Sequence, residues 1–413
     1  MKKVPRLRFR GFSEDWEQRK LGEVTEKIGS GKTPKGGNSN YQSHGVALIR
    51  SQNIFDDRVN NNDIAYISDK VDNDMKNSRV FKNDVLLNIT GASIGRSAVY
   101  QSSDTANVNQ HVCIIRPKDN IVSNFIQLNI SSTKGQKEIE LNQAGGGREG
   151  LNFQQIAKMI FSYPSYDEQQ VIGLFFEKIN DTITLHQRKL EQLKELKKTY
   201  LQVMFPRKDE RVPKLRFADF EGEWAQRKLG EISTHRSGTA IERYFTEDGK
   251  YKVISIGSYG TDSKYVDQGI RAISNEITNA RVVHKGELTM VLNDKTSDGA
   301  IIGRSLLIES EEEYVINQRT EIISPKDDFN VNFAYTTLNN TFRQKVKKIV
   351  QGGTQIYVNY PAVKNLMLDF PSYKEQTKIG TFFKQFDDTI TLHQNKLDQL
   401  KTLKKTYLQN MFI

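Results

Sequence analysis

Residues 164–205 read P-S-Y-D-E-Q-Q-V-I-G-L-F-F-E-K-I-N-D-T-I-T-L-H-Q-R-K-L-E-Q-L-K-E-L-K-K-T-Y-L-Q-V-M-F, and residues 371–412 repeat this stretch without a gap, with 30 of 42 positions identical. Apolar or amphipathic residues recur at alternating steps of three and four, which predicts two long amphipathic helices. About 40 residues rising 1.5 Å each would make a rod on the order of 60 Å long. Such a rod is typical of a spacer or a coiled coil.

The repeating positions form a seam along each predicted helix, with one charged position per copy, Lys197 and Lys404. We expect the seam to be the interface between the helices and toward a partner subunit. Its members are Ile183, His186, Leu190, Leu193 and Tyr200 in the first copy and Ile390, His393, Leu397, Leu400 and Tyr407 in the second.

A second repeat precedes each large segment. Residues 4–24, V-P-R-L-R-F-R-G-F-S-E-D-W-E-Q-R-K-L-G-E-V, match residues 212–232 and include both tryptophans, Trp16 and Trp224. Leu, Phe and Trp at fixed spacing bury well, so we expect a hydrophobic anchor that docks the start of each following domain. A DNA contact by Arg8 and Arg216 in the same repeat is the open alternative.

Two segments of similar length follow the anchors, at 21–163 and 229–370. Short apolar runs such as D-V-L-L-N-I-T and E-L-T-M-V-L-N predict strands separated by Gly, Asn and Asp turns, and each segment then gives a helix-like run and a glycine loop. We call them the first and second module, two mixed α/β modules on one plan within a tandem duplication. The predicted boundaries are an anchor at 1–20, a module at 21–163, a long helix at 164–206, a linker with the second anchor at 207–228, a module at 229–370 and a long helix at 371–413.

Composition narrows the class of protein. The chain has 413 residues and a formal net charge of +10, which suggests a polyanionic partner. It has no long apolar run and its start lacks a signal-peptide pattern, so we expect a cytoplasmic protein without a membrane partner. Cys113 is the single cysteine, so neither an intrachain disulfide nor a cysteine-based zinc site can form.

Motifs for chemistry within the chain are missing from the sequence. An adenine methyltransferase would need a glycine-rich cofactor loop and an N-P-P-Y-like turn, and Asn359-Tyr360-Pro361 has the wrong order. Gly31-Lys32-Thr33 lacks both the earlier glycine and the preceding strand of a phosphate loop. The six histidines show no metal-binding spacing. We therefore expect no catalytic residue and no metal site in this chain.

The arrangement resembles the specificity subunit of type I restriction-modification systems. The resemblance covers essentially the whole chain and includes W-E-Q-R-K-L-G-E, G-A-S-I-G-R, N-V-N-Q and P-S-Y-D-E-Q. It implies two target recognition domains that each read one half of a split DNA site, joined by two long antiparallel helices in a pseudo-twofold tandem duplication. It further implies that the helices bind two modification (adenine methyltransferase) subunits.

The resemblance places S-adenosylmethionine on those partner subunits, together with ATP and Mg in the full complex, and leaves open whether a restriction subunit completes it. Two readings of other classes also stay open. One is a coiled-coil scaffold that joins two protein-binding modules. The other is an enzyme with an unrecognised site.

The duplication itself separates candidate DNA contacts into two classes. Modules that read different half-sites should share scaffold residues and differ where they read bases, and bases are read chiefly by Arg, Lys, Asn and Gln. Shared residues more readily shape loops or hold phosphates, and they are Arg96, Asn109, Gln110, Arg304, Asn317 and Gln318. Divergent loop residues are the specificity candidates: Arg50, Ser51, Gln52, Asn53, Thr90, Ser93 and Arg148 in the first module, and Ser258, Tyr259, Asn293, Lys295, Thr296 and Gln355 in the second.

Overall fold

The computed structural model describes residues 4–143 and 150–413. The chain divides into two compact units, the first formed by Met1–Gln187 with Asn395–Ile413 and the second by Arg188–Gln394. The two long helices span Tyr166–Val203 and Tyr373–Met411, within three residues of the predicted bounds. Each long helix therefore contributes one part to each unit.

Two four-stranded sheets form the first module. One sheet has, in spatial order, Ala65–Ile67, Val46–Ile49, Ala106–Val108 and Arg79–Val80, and the other has Thr25–Ser30, Val112–Pro117, Val85–Asn88 and Ser97–Val99. Neighbours run antiparallel except Val46–Ile49 and Ala106–Val108, which are parallel. The module also contains the hairpin Ile54–Phe55 with Arg58–Val59, and the helices Asp69–Asp74, Ser123–Ser131, Thr133–Gln143 and Phe153–Lys158.

The second module repeats this topology. Its two sheets have the orders Arg271–Ala272, Tyr251–Ile254, Tyr314–Ile316, Val282–Val283 and Ser233–Ser237, Thr320–Pro325, Leu288–Val291, Ser305–Leu307. A three-stranded sheet is added from Asn293–Asp294, Ile356–Tyr357 and Gln351–Gly352. The helical segments are Leu229–Ile232, Glu276–Asn279, Val331–Thr337, Leu338–Phe342, Arg343–Lys347 and Tyr360–Val363. Both modules thus follow one α/β plan, as predicted, because the apolar positions repeat while the loops diverge.

The anchor repeat closes each module. Strand Glu17–Lys20 pairs with Ile160–Tyr163, and Ala225–Lys228 pairs with Met367–Phe370. Both indoles are buried in aromatic clusters: Trp16 lies against Phe125 and Phe412, and Trp224 lies against Phe205 and Phe333. The predicted hydrophobic anchor is present in both copies.

The two anchor arginines, for which a DNA contact is the open alternative, bind carboxylates within the protein. The Arg8 guanidinium binds the buried carboxylate of Glu168 with two hydrogen bonds of 2.7 Å, and Arg216 binds Glu375 in the same way at 2.7 and 2.8 Å. These bonds to the carboxylates raise the pKa of both guanidinium groups. Each arginine therefore ties an anchor to the start of a long helix.

Contacts inside each unit show how the long helices pair. In the second unit Lys197 Nζ lies 2.5 Å from Asp387 Oδ1, and the rings of Tyr200 and Phe382 are 5.2 Å apart, so later residues of one helix meet earlier residues of the other. In the first unit, Phe175 packs against Tyr407 with ring centroids 5.0 Å apart. The helices are antiparallel within the units.

Every position of the predicted seam is buried or half-buried. Ile183, Leu190, Ile390 and Leu397 are buried, and the other seam positions, His186, Leu193, Tyr200, His393, Leu400 and Tyr407, are half-buried.

Candidate nucleic-acid interface

Hydrogen bonds tie three loops of the first module together where strands of its two sheets end. Asn88 Nδ2 donates to the carbonyl oxygen of Ser51 at 2.9 Å, and Asn109 N donates to the carbonyl oxygen of Ile49 at 3.3 Å. Thr90 Oγ1 lies 2.6 Å from His111 Nδ1. Candidate residues that are distant in sequence, in the segments 50–53, 90–96 and 109–110, are therefore brought together at one edge.

Two first-module candidates share one carboxylate. Arg50 Nη2 donates to the backbone oxygen of Asp63 at 2.6 Å and to its Oδ2 at 3.3 Å, and Gln52 Nε2 donates to the same Oδ2 at 2.5 Å. The Arg50 guanidinium also lies over the Tyr41 ring, 5.6 Å from its centroid. These contacts hold a guanidinium and a carboxamide side by side, and both groups are able to make paired hydrogen bonds with a base edge.

The second module assembles the corresponding loops. Asn317 N donates to the carbonyl oxygen of Ile254, and Leu292 N donates to that of Arg319, both at 2.9 Å. Asn293 pairs with Tyr357 in the added three-stranded sheet. That sheet places the segment 293–299 beside the glycine loop that carries Gln355.

The segment that carries Lys295 and Thr296 is braced from both sides. Asp294 is buried and accepts hydrogen bonds from Ile301 N at 2.7 Å and Thr296 N at 3.0 Å. Burial acts to raise the pKa of Asp294, but these hydrogen bonds outweigh it and leave the pKa below its ordinary value. The brace keeps the exposed tip in one conformation.

Arg343 supports the same segment from the helix Arg343–Lys347. Its guanidinium donates to the backbone oxygens of Ile302 at 2.9 Å, Gly299 at 2.8 Å and Ala300 at 2.9 Å. Burial lowers the pKa of Arg343 to about 10, so the group still carries its charge at neutral pH. Its role is to position the loop.

The Asn-Gln pair shared by both modules shapes loops. Asn109 Oδ1 accepts the N–H of His111 at 3.1 Å, and Asn317 Oδ1 accepts that of Ile241 at 3.2 Å. Asn317 Nδ2 and Gln318 Nε2 also donate to Glu242 at 2.9 and 2.8 Å, which lowers the pKa of that carboxyl. These contacts favour the loop-shaping interpretation for the buried asparagines, while Gln110 and Gln318 remain exposed.

The shared Gly-Arg pair differs between the modules at its arginine. Gly95 and Gly303 both have left-handed backbone, with φ of 86° and 70°, a conformation that favours glycine. Arg96 is exposed, whereas Arg304 donates to the backbone oxygen of Ala300 and to Ser263 Oγ, each at 2.9 Å. Burial lowers the pKa of Arg304. Of the two, Arg96 is the one available to a phosphate.

Burial excludes three of the specificity candidates from contact with a base. Asn53 Oδ1 accepts the N–H of Arg50 at 3.0 Å, Ser258 Oγ accepts that of Ser255 at 3.1 Å, and the Tyr259 hydroxyl donates to Thr289 Oγ1 at 2.9 Å. Because all three side chains are enclosed by the module, they stabilise the loops and cannot reach a base. The polar residue types in these loops had suggested exposure, but packing turned them inward.

The remaining candidates differ in exposure. Gln52, Lys295, Thr296 and Gln355 are exposed, and Arg50, Ser51, Thr90, Ser93 and Asn293 are half-buried. Arg148, with Gly145–Gly147, lies outside the residues that the structure describes.

Three residues in these loops were missed by the sequence reasoning. His111 bridges Thr90 and Gln110, Asp63 holds Arg50 and Gln52, and Glu242 receives the second Asn-Gln pair. His111 directly follows Asn109-Gln110, so its position could have pointed to it. Asp63 and Glu242 gave no signal, because no sequence motif links either residue to its partners.

No helix within residues 4–143 and 150–413 is long and apolar enough to cross a bilayer. Over the same residues, no group of three His, Cys, Asp or Glu side chains is placed to hold a metal ion.

Comparison with known proteins connects this geometry to a family. The protein-family model described as type I restriction modification DNA specificity domain matches the chain twice, over residues 13–195 and 221–402. The putative type I restriction enzyme MjaX specificity subunit of Methanocaldococcus jannaschii is 20% identical over 425 residues, covering 95% of this chain and 91% of that protein. The EcoBI specificity subunit of Escherichia coli is 33% identical over 129 residues, covering 31% of this chain and 27% of that protein. The crystal structure of a type I S subunit from M. genitalium shares the fold, with a TM-score of 0.68 at 14% identity and 99% of both chains covered.

Proposed function

The chain belongs to the type I restriction-modification DNA specificity family, and on that premise we propose that each module reads one half of an asymmetric, split site in duplex DNA. A specificity subunit is the non-catalytic DNA-recognition component of its complex. The observation that carries the proposal is that two modules, whose pairs of four-stranded sheets share one topology, bring equivalent loops together and fill them with different side chains. Shared topology gives equivalent placement, and different side chains give different half-sites.

The proposed reading positions are the divergent polar side chains that the loops hold at the surface. In the first module they are Arg50, which is half-buried, and the exposed Gln52, and in the second they are the exposed Lys295, Thr296 and Gln355. Arginine, lysine and glutamine make the paired hydrogen bonds that distinguish bases in the major groove. Arg96 and Gln110 are assigned to DNA positioning, because phosphate contacts carry no sequence information.

DNA and a methyltransferase are the partners of a type I specificity subunit. We propose two copies of the modification subunit, one on each unit. In the first unit, Leu185 and Leu403 are 67% and 42% exposed, and in the second unit their equivalents Leu392 and Leu196 are 67% and 44% exposed. Packing between the helices does not require leucine at exposed positions, whereas one partner surface used twice does.

The identity of the helix copies extends to polar positions as well. Those identical between the copies include Gln187, Lys189, Gln192, Lys194 and Lys198 in the first helix and Gln394, Lys396, Gln399, Lys401 and Lys405 in the second. S-adenosylmethionine, and in the full complex ATP with Mg²⁺, are assigned to the partner subunits.

Co-expression with the modification subunit, followed by sequencing of methylated DNA, tests the proposal. We expect one asymmetric motif with two defined halves and an unspecified spacer. Replacing residues 21–163 by the module of a relative should change one half only, and a change in both halves would contradict independent reading.

Binding of the assembled complex to duplex DNA should weaken steeply as salt rises, because phosphate contacts release counterions. Salt-independent binding, or none, would instead favour a scaffold that joins protein-binding modules.

A further inference from the structure

Each long helix places one lysine in its otherwise apolar seam, Lys197 in the first and Lys404 in the second. The two positions are equivalent in the repeat, and both side chains are largely covered. A covered ammonium group without a carboxylate partner is costly, because its lost hydration is not replaced. The two units supply that carboxylate from different places.

In the second unit the partner comes from the other helix. Lys197 Nζ lies 2.5 Å from Asp387 Oδ1. In the first unit the position equivalent to Asp387 is Asn180, which carries no charge. There, Lys404 Nζ donates to Asp57 Oδ2 at the tip of the module hairpin that joins Ile54–Phe55 to Arg58–Val59.

The tip residue that packs against the module helix carries a charge in the first module, at Asp57, and none in the second, at Ser263. Asp57 has φ of 57°, and its Oδ1 accepts hydrogen bonds from Gln127 Nε2 at 2.9 Å and Ser131 Oγ at 3.0 Å. Gln127 and Ser131 lie on the helix Ser123–Ser131.

In the second module the same place is occupied by Ser263, with φ of 65°. Its partners Tyr335 and Asn339 lie 208 positions after Gln127 and Ser131. The architecture is thus conserved while the carboxylate has moved from the module hairpin to the helix.

We propose that Asp57 and Asp387 are alternative counter-ions for one seam-lysine position, and that their placement determines which module is compatible with which long-helix seam. In each unit, the seam lysine then meets one carboxylate. A module with aspartate at the position of Asp57 needs an uncharged residue at position 180 or 387, and a module with serine at that position needs an aspartate at 180 or 387.

The same pair makes Asp57 a positioning residue for DNA reading, and this part depends on the proposed function. The hairpin that carries Asp57 lies between the reading residues Arg50 and Gln52 and their partner Asp63. Arg58, next to Asp57, pairs with Asp181 of the first long helix at 2.8 Å. The hairpin therefore fixes the reading segment to both helices of its unit.

Thermal unfolding of the full chain tests the counter-ion pairing without any DNA. D57N keeps the shape of the tip but leaves Lys404 without a carboxylate, and we expect the midpoint to fall by about 2–4 °C or more. D57N/N180D returns one aspartate to the seam and should recover most of that loss. D57N in a K404M background should have little effect, because the lysine that needs the carboxylate is gone.

Failure of N180D to rescue D57N, or an equal cost of D57N with and without Lys404, would overturn the proposal. D387N is the matched variant in the second unit and should lower the midpoint as D57N does.

Methylation by the assembled complex adds a readout that a purely structural role would not move. D57N should weaken selectivity in the half read by the first module, and the double variant should restore it.

A module exchange tests compatibility directly. Placing residues 21–163 in the position of 229–370 brings the acidic tip to Lys197 while Asp387 remains, so two carboxylates meet one lysine. We expect D387N to raise the unfolding midpoint of this chimera, the opposite of its effect in the parent chain. A decrease in both proteins would contradict the compatibility rule.

Discussion

Arg8 binds both carboxylate oxygens of Glu168 at 2.7 Å, across 160 residues of chain, and Glu168 is almost wholly buried beneath it. Arg216 and Glu375 repeat the pair in the second unit. Paired hydrogen bonds to a planar guanidinium match the carboxylate geometry, which lysine cannot reproduce. The start of each anchor is thereby fixed to the start of a long helix.

Substitution of Arg8 by Ala should destabilise the first unit by about 3–5 kcal/mol, because it leaves the Glu168 carboxylate buried without a cation. Denaturant unfolding of the full chain measures this loss. R8A/E168A should be less destabilised than R8A, since no unpaired charge remains. Equal stability of R8A and the parent chain, with weaker DNA binding by R8A, would restore the DNA-contact role.

Substitution of Leu185 and Leu403 by Ser should weaken binding of the modification subunit to the first unit while leaving the fold intact, because both leucines are exposed. The stoichiometry of the complex, measured by light scattering, should fall from two partner copies to one. L174S is the control, because Leu174 is equally exposed but its equivalent in the second helix is Thr381. Two bound copies in the double variant would place the docking surface elsewhere.

Replacement of Gln52 by Ala should relax base preference in one half of the methylated motif, by about 1–3 kcal/mol at the affected position. Replacement of Lys295 by Ala should do the same in the other half. Sequencing of methylated DNA from both variants provides the reciprocal control. If methylation instead falls equally at every site and the motif stays unchanged, Gln52 and Lys295 contact phosphates and do not read bases.

Substitution of Arg343 by Met should release the loop that carries Lys295 and Thr296, since it removes three hydrogen bonds to the backbone oxygens of Gly299, Ala300 and Ile302. We expect greater hydrogen exchange at residues 294–302 and weaker selectivity in the second half of the motif. K347M, on the same helix, removes only a single exposed contact to Asp298 and serves as the control. Unchanged exchange in R343M would show that Asp294 alone holds the loop.

Cys113 offers a pH-dependent probe of the first unit. Burial raises the pKa of its thiol from an ordinary value near 9 to about 12, so the folded chain keeps it protonated where the unfolded chain ionises it. Its contribution to stability is therefore complete below pH 9 and is lost as the pH rises from 9 to 12. Iodoacetamide at pH 9 should label the unfolded chain and spare the folded one, because the thiolate is the nucleophile. Rapid labelling of the folded chain would contradict this burial.

The sequence by itself determined the repeat, the two long helices to within three residues, the common plan of the modules and the class of protein. Periodic apolar positions and near-identical copies are local or internal signals, and they are readable without coordinates. The anchor tryptophans are a further case, since Leu, Phe and Trp at fixed spacing have few uses other than burial.

Only the tertiary structure decided which polar residues face outward and which charges meet. Ser258 and Tyr259 belong to a polar loop by sequence, but strand packing encloses them. The partners of Lys404 and Arg8 lie 347 and 160 residues away in the sequence. The carboxylate of the seam lysine comes from a module in one unit and from a helix in the other. Burial and charge pairing depend on which atoms the folded chain brings within a few ångströms, and no periodicity in the sequence records that.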